Sequence, residues 1–234
     1  GEKGNAIYWS TTQLFEANNI GFSFWPWKKM DTENTPYSIK KPVNWDLIAE
    51  YSKGGAKPEP AICISAFDEL LENIKLANCV YYADVCNAIL TRIPGKIEAE
   101  NYGHSGYMQS YFVTDTTARS AYYRKTEPVK IGLDSKDEKQ FWSEQSVELK
   151  QSEWLNYTFG SEDGNKRKLT IRAAAVNGPA VLELRMNKRK LKVKLSETGF
   201  TDIDLGTVPV KQLGNRIRVF VKSGMVKMDW LKLQ

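Results

Sequence analysis

The chain has 234 residues, 41% of them hydrophobic and 26% charged, with a formal charge of +5. That composition suits a soluble globular protein and argues against disorder or a coiled coil. No apolar run approaches the roughly 18 to 20 residues of a membrane span, and no basic-then-apolar leader precedes Gly1-Glu2, so the sequence reads as a piece of something longer.

Charge is divided unevenly: residues 1–92 hold 9 Lys/Arg against 11 Asp/Glu, and residues 93–234 hold 24 against 17. The asymmetry predicts two units. Acids are interleaved among the bases, as in RMNKRKLKVKLSE at 185–197. That alternation suits a strand with one solvated face and speaks against nucleic-acid binding.

In chain order, NAIYWSTTQLFEANN at 5–19 is an amphipathic helix stopped by Asn-Asn, and IGFSFWPW at 20–27 reads as a strand buried on both faces. A helix running straight into a buried strand is the rhythm of an α/β barrel or doubly wound sheet. A polar loop at 28–41 and a helix in VNWDLIAEYSKGG follow. Residues 65–92 open on a capping-box-like Ser65-x-x-Asp68 and keep helical spacing, with one break near Asn78. Cys79 and Cys86 on such a helix would lie about 10 Å apart, too far for a disulfide. With Cys63 they are expected to be buried free thiols. One histidine and no CxxC pair leave little from which to build a zinc site.

After Ile93-Pro94-Gly95 the character changes. VELKQ, EWLNYTF, KLTIRAAA, AVLELRMN, KLKVKLS and RIRVFVKS alternate apolar with polar residues and are separated by Gly, Asn, Asp or Ser. These are the marks of an antiparallel sandwich. The expected fold is therefore mixed: residues 93–234 form mainly an antiparallel β-sandwich, and residues 1–92 are mostly helical. Trp154 and Trp230 lie inside strongly patterned strands and read as core. His104 has no Ser or Cys nucleophile motif near it and reads as a loop residue.

Residues 93–234 resemble the family 6 carbohydrate-binding modules, a jelly-roll sandwich. The resemblance is carried in order by IPGKIEAENY, AYYR, SEWLNYTF, LTIRAA, LSETG and VKMDWLKLQ. It implies a structural Ca²⁺ held by Glu98, Glu100 and Asp229, whose oxygen ligands suit that ion. On the residues alone, Glu98 and Glu100 are equally the solvent-facing positions of a strand whose Ile97 and Ala99 point inward. Sugar binding in the family uses stacked aromatic faces. The two usual aromatic positions fall near Glu148 and Phe200, and the usual asparagine falls near Lys227. Phe200 is then the remaining platform, and Trp142 and Tyr107 are loop aromatics that either bind or merely pack.

Residues 1–92 resemble the end of the catalytic barrel of family 5 glycoside hydrolases. Gly1-Glu2-Lys3-Gly4 matches the end of the seventh strand of the (β/α)8 barrel, IGFSFWPWKKM the eighth, and NTPYSIKKPVNWDLIAEY the closing loop and helix. The resemblance implies Glu2 as nucleophile and Trp25 as a sugar platform. Retaining hydrolysis needs a second carboxyl about 5 to 5.5 Å from the first, and in this family it belongs to an Asn-Glu pair that occurs nowhere in the chain. The expected function is thus a part of a secreted or cell-surface β-glycan hydrolase of the endo-β-1,4-glucanase type, inactive without the rest of its barrel. The partner would be a β-linked polysaccharide. The alternatives are a non-catalytic glycan-binding module and a purely structural sandwich.

Overall fold

The computed structural model describes residues 4–118, 120, 123–134, 145–196 and 198–234. The chain divides into two compact units, one running to Phe22 and resuming at Asn87–Gln234, the other Ser23–Cys86. The boundary expected at 92/93 thus differs from the observed grouping, which joins the N-terminal helix to the sandwich.

Helix α1 (Asn5–Ala17) buries Tyr8, Trp9, Thr12 and Gln13, which share one face at helical spacing. Trp9 belongs to the sandwich core, and the Asn101 side chain donates to the carbonyl of Ala6 at 3.2 Å. The helix ends where the Asn18 side chain donates back to the carbonyl of Leu14 and Asn19 turns left-handed.

The segment expected as a doubly buried strand, 20–27, is neither a strand nor buried. Ile20, Phe22 and Trp27 are exposed, and Trp25 is 90% exposed. A strand persists only where neighbours take up its backbone N–H and C=O groups, and no strand among the described residues pairs with this one. The second unit instead forms a small sheet, two of whose strands come from the region read as a polar loop and the third from the stretch read as helical. Strand β1 (Lys28–Met30) runs parallel to β2 (Tyr37–Ile39), which pairs antiparallel with β3 (Val80–Tyr81). Around them lie α2 (Trp45–Ser52) and α3 (Pro60–Asn73). Helix α3 starts five residues before Ser65, because Pro60 fits the first helical position, where no N–H is required. The break near Asn78 is a short 3-10 turn, Leu76–Asn78. It leaves Cys79 outside any helix, and all three cysteines are free but only partly buried.

Helix α4 (Ala83–Ile89) precedes the sandwich. The sandwich strands are β4 (Arg92–Ile93), β5 (Gly95–Glu98), β6 (Tyr111–Phe112), β7 (Lys130–Leu133), β8 (Gln145–Lys150), β9 (Trp154–Ser161), β10 (Lys166–Ala175), β11 (Ala180–Met186), β12 (Arg189–Leu195), β13 (Thr201–Pro209), β14 (Asn215–Ser223) and β15 (Met225–Leu233). One sheet has the order β13-β10-β15-β8-β7, with β5 beside the far half of β15. The other has the order β12-β11-β14-β9-β4, with β6 on the first residues of β9. Pairing is antiparallel except between β4 and β9.

Alternation builds the core. Ile217, Val219 and Val221 of β14 meet Leu155, Tyr157 and Phe159 of β9 and Leu182 and Leu184 of β11 from one sheet. Leu169, Ile171, Val147, Leu149, Leu231 and Leu233 come from the other. In β15 the alternation changes phase. The register against β10 jumps between Arg172↔Trp230 and Ala173↔Met228, so Asp229 is the extra residue of a bulge. Because of it Val226 and Met228 before the bulge and Leu231 and Leu233 after it all face inward.

Candidate functional site

The two outer faces of the sandwich and the ends of its first and last strands carry most of the chemistry. On the sheet containing β14, cross-strand register aligns Phe112, Trp154, Phe220, Glu183 and Lys192 in one row across five strands. None of these three aromatics belongs to the core cluster. Phe112 lies 6.5 Å from Trp154 in a stacked arrangement, and Tyr107, 47% exposed, leans on Phe112 at 5.8 Å.

The adjacent row holds Asn156, Arg218 and Arg185. The Arg218 guanidinium lies 4.0 Å above the Trp154 ring and its Nε donates to Asn156 Oδ1 at 3.0 Å. The Arg185 guanidinium sits 5.7 Å from the Phe220 ring. Burial first, then Arg185 and Arg216, hold Arg218 below the ordinary guanidinium value. Arg185 and Arg218 each have an acceptor in reach: Glu183 takes ion pairs from Arg185 and Lys222, and Asn156 serves Arg218.

Sequence reasoning set this face aside by reading Trp154 as core. The signal was present in the alternation: if Ile217, Val219 and Val221 point inward, then Arg216, Arg218 and Phe220 point outward. Trp154 is 8% exposed because neighbours cover it on the outer face. Trp230, also read as core, is only half-buried and outside the core cluster.

The residues expected to hold Ca²⁺ are brought together in part. Ile97 and Ala99 point inward as expected, yet Glu98 and Glu100 are not solvent-facing: they are 7% and 3% exposed. Burial pushes the Glu98 carboxyl up and the Glu100 carboxyl well up, and mutual repulsion with Asp229 adds to both. Glu100 Oε2 and the nearby Gln145 Oε1 have no partner among the described residues. Both residues line a cavity of about 240 Å³ with Ser10, Asn101 and Tyr123. A buried, unpartnered carboxylate oxygen beside an unpartnered amide oxygen fits a hard cation. Glu98 and Asp229 are otherwise engaged, with Lys96 at 2.7 Å and Arg172 at 3.1 Å. Among the described residues no group of three or more His, Cys, Asp or Glu is gathered as a metal site.

The remaining expected residues are scattered. Phe200 is half-buried, with the Arg172 guanidinium 5.7 Å from its ring. The two positions that depart from the family pattern, Glu148 and Lys227, are cross-strand partners, and each forms an ion pair: Glu148 with Lys130 at 2.6 Å, Lys227 with Asp134 at 3.2 Å. Trp25 belongs to the Ser23–Cys86 unit. Glu2 and Trp142 lie outside the described residues. His104 is in a loop, its pKa lowered to about 4 by burial and by the Arg124 guanidinium.

No helix among the described residues is long and apolar enough to cross a membrane. No protein-family model matches the chain, and no curated protein matches it. Among solved structures it is similar to the GH26-CBM35 β-(1,4)-mannanase of Podospora anserina, at 19% identity and a TM-score of 0.39 over 59% of this chain and 27% of that one. It is also similar to the C-terminal CBM6 of the laminarinase LamC from Zobellia galactanivorans, at 16% identity and a TM-score of 0.40 over 59% of this chain and 97% of that one. A third is the carbohydrate-binding module CBM36 in complex with calcium and xylotriose, at 14% identity and a TM-score of 0.40 over 59% of this chain and 98% of that one.

Proposed function

We propose that the sandwich is a glycan-binding module whose binding face is the aromatic and arginine rows on the sheet containing β14. The carrying observation is the juxtaposition of Tyr107, Phe112 and Phe220 with Arg218 and Arg185 on one outer face, where Trp154 lies beneath Arg218 and supports it. Ring faces stack on the C–H faces of sugars, and guanidinium groups donate to their hydroxyls. Phe200, on the opposite sheet, is a second candidate platform.

Ca²⁺ bound by Glu100 and Glu98, with Asp229 joining if it leaves Arg172, would supply charge neutralisation where the first and last strands meet. The wider setting rests on the sequence resemblance alone: a secreted, polysaccharide-degrading hydrolase of the endo-β-1,4-glucanase type, with residues 1–92 at the end of its barrel, Glu2 as nucleophile and Trp25 as a platform. Turnover of soluble β-glucan by this chain alone would overturn the assignment of the missing acid to another part of that protein.

Affinity electrophoresis through gels containing β-glucan, xylan or mannan tests the module. Retardation by at least one polysaccharide, reduced in a Tyr107→Ala, Phe112→Ala double variant, is expected. If no polysaccharide retards the protein, the purely structural reading replaces this one. That second reading is favoured by the ion pairs at Glu148 and Lys227, where the family carries sugar-binding groups.

A further inference from the structure

Beside the arginine row, within the same compact unit, α1 forms one wall of two adjoining open cavities, a larger of about 360 Å³ bounded by the 90–92, 158–160 and 213–216 segments and a smaller of about 230 Å³ bounded by the 103–110 loop. The larger falls in the size range of small-molecule sites, roughly 300 to 1,000 Å³. Gln13, Glu16, Thr158 and Arg216 line both; Asn156 and His104 line the smaller.

Gln13 is the decisive residue. It is 7% exposed, yet neither its amide nitrogen nor its amide oxygen has a hydrogen-bond partner among the described residues. Leaving two such atoms unpartnered is destabilising unless something in the cavity meets them. Glu16 and Arg216 share these walls without forming an ion pair, and among the described residues Glu16 accepts a long hydrogen bond from Thr91, at 3.4 Å. The walls therefore offer a carboxylate acceptor, a guanidinium donor and an amide that does both. An anion would meet Glu16 and a cation would meet Arg216. A neutral ring bearing several hydroxyls, each able to donate and accept, satisfies all three.

We propose that this pocket binds one uncharged sugar residue, held by Gln13, Glu16 and Arg216, next to the face that binds the glycan chain. The ligand class rests on the glycan-binding reading; the location does not. Because α1 supplies two of the three groups, the site exists only where this helix is packed on the sandwich.

Saturation-transfer NMR on the full chain with glucose, mannose and xylose, and with their β-1,4-linked trisaccharides, tests the assignment. At least one sugar is expected to bind. Gln13→Leu, which keeps the volume without the hydrogen bonds, and Arg216→Ala, a change at an exposed side chain that spares folding, should each weaken it at least tenfold, while Lys53→Ala, at an exposed side chain of the other unit, leaves monosaccharide binding unchanged. Sugar binding that survives both Gln13→Leu and Arg216→Ala overturns the pocket, and so does failure of every sugar to bind. In the latter case retardation by polysaccharide gels shows that the outer face still functions, and its absence removes both readings together.

Discussion

Arg218 and Trp154, on neighbouring strands two register positions apart, stand with the guanidinium 4.0 Å above the indole ring. The cation covers the aromatic face and is itself crowded by Arg185 and Arg216. Arg218→Met retains the covering stem and removes the donors. Its unfolding free energy should stay within about 1 kcal/mol of the parent, while retardation by the bound polysaccharide weakens about tenfold, as expected for the loss of a charge-assisted hydrogen bond.

Glu100 presents an unpartnered buried oxygen. A cation bound only by the folded state raises its stability by mass action. Millimolar Ca²⁺ should therefore raise the melting temperature relative to chelator, and Glu100→Gln should abolish the increment. An equal increment in the variant would place the ion elsewhere.

His104 is the only histidine in the chain, so its imidazole resonance in NMR is unambiguous. Its folded pKa of about 4 lies below the ordinary 6.5, so the folded state binds fewer protons than the unfolded chain between those values. The contribution is fully present above 6.5 and is lost as pH falls towards 4. The group is only partly buried, which limits the effect to about 2 kcal/mol. His104→Gln should flatten the stability profile in that window, and the wild-type imidazole should titrate near pH 4.

Arg124 is almost wholly buried, and it donates to the carbonyls of Tyr102 and Gly103 at 2.7 and 2.6 Å while pairing with Glu127 at 3.0 Å. Removing one partner of a buried pair costs about 3 to 5 kcal/mol. Arg124→Met should lower stability by that order in denaturant titration. Arg124→Lys should recover only part, since an ammonium cannot span the same acceptors.

The Tyr157 hydroxyl, wholly buried, donates to the Ala99 carbonyl at 2.8 Å and joins β9 to the segment after β5. Tyr157→Phe leaves that carbonyl without this donor and should cost about 1 kcal/mol. A change in the denaturant midpoint without a change in slope would confirm that only stability moved.

The strands from 145 onward were legible because alternation is a local property: each inward Val, Leu or Ile specifies its own face, and turns of Gly, Asn and Asp mark the ends. Helix α1 and the 3-10 break before Cys79 were legible for the same reason. The segment 20–27 was not, because a wholly apolar run carries no period, and whether it becomes a strand depends on partners elsewhere in the chain. Glu98 and Glu100 show the same limit in reverse: strand periodicity places them outward, and only the packing of neighbouring segments buries them.

Sequence by itself therefore determined the β-sandwich and the succession of strands along its second half. Tertiary structure decided that α1 packs with that sandwich, that Trp154 lies under Arg218 on an outer face, and that Gln13 is buried at the wall of two open cavities. Those outcomes depend on which residues cross-strand register and helix packing bring together over long separations. No local pattern of spacing encodes them.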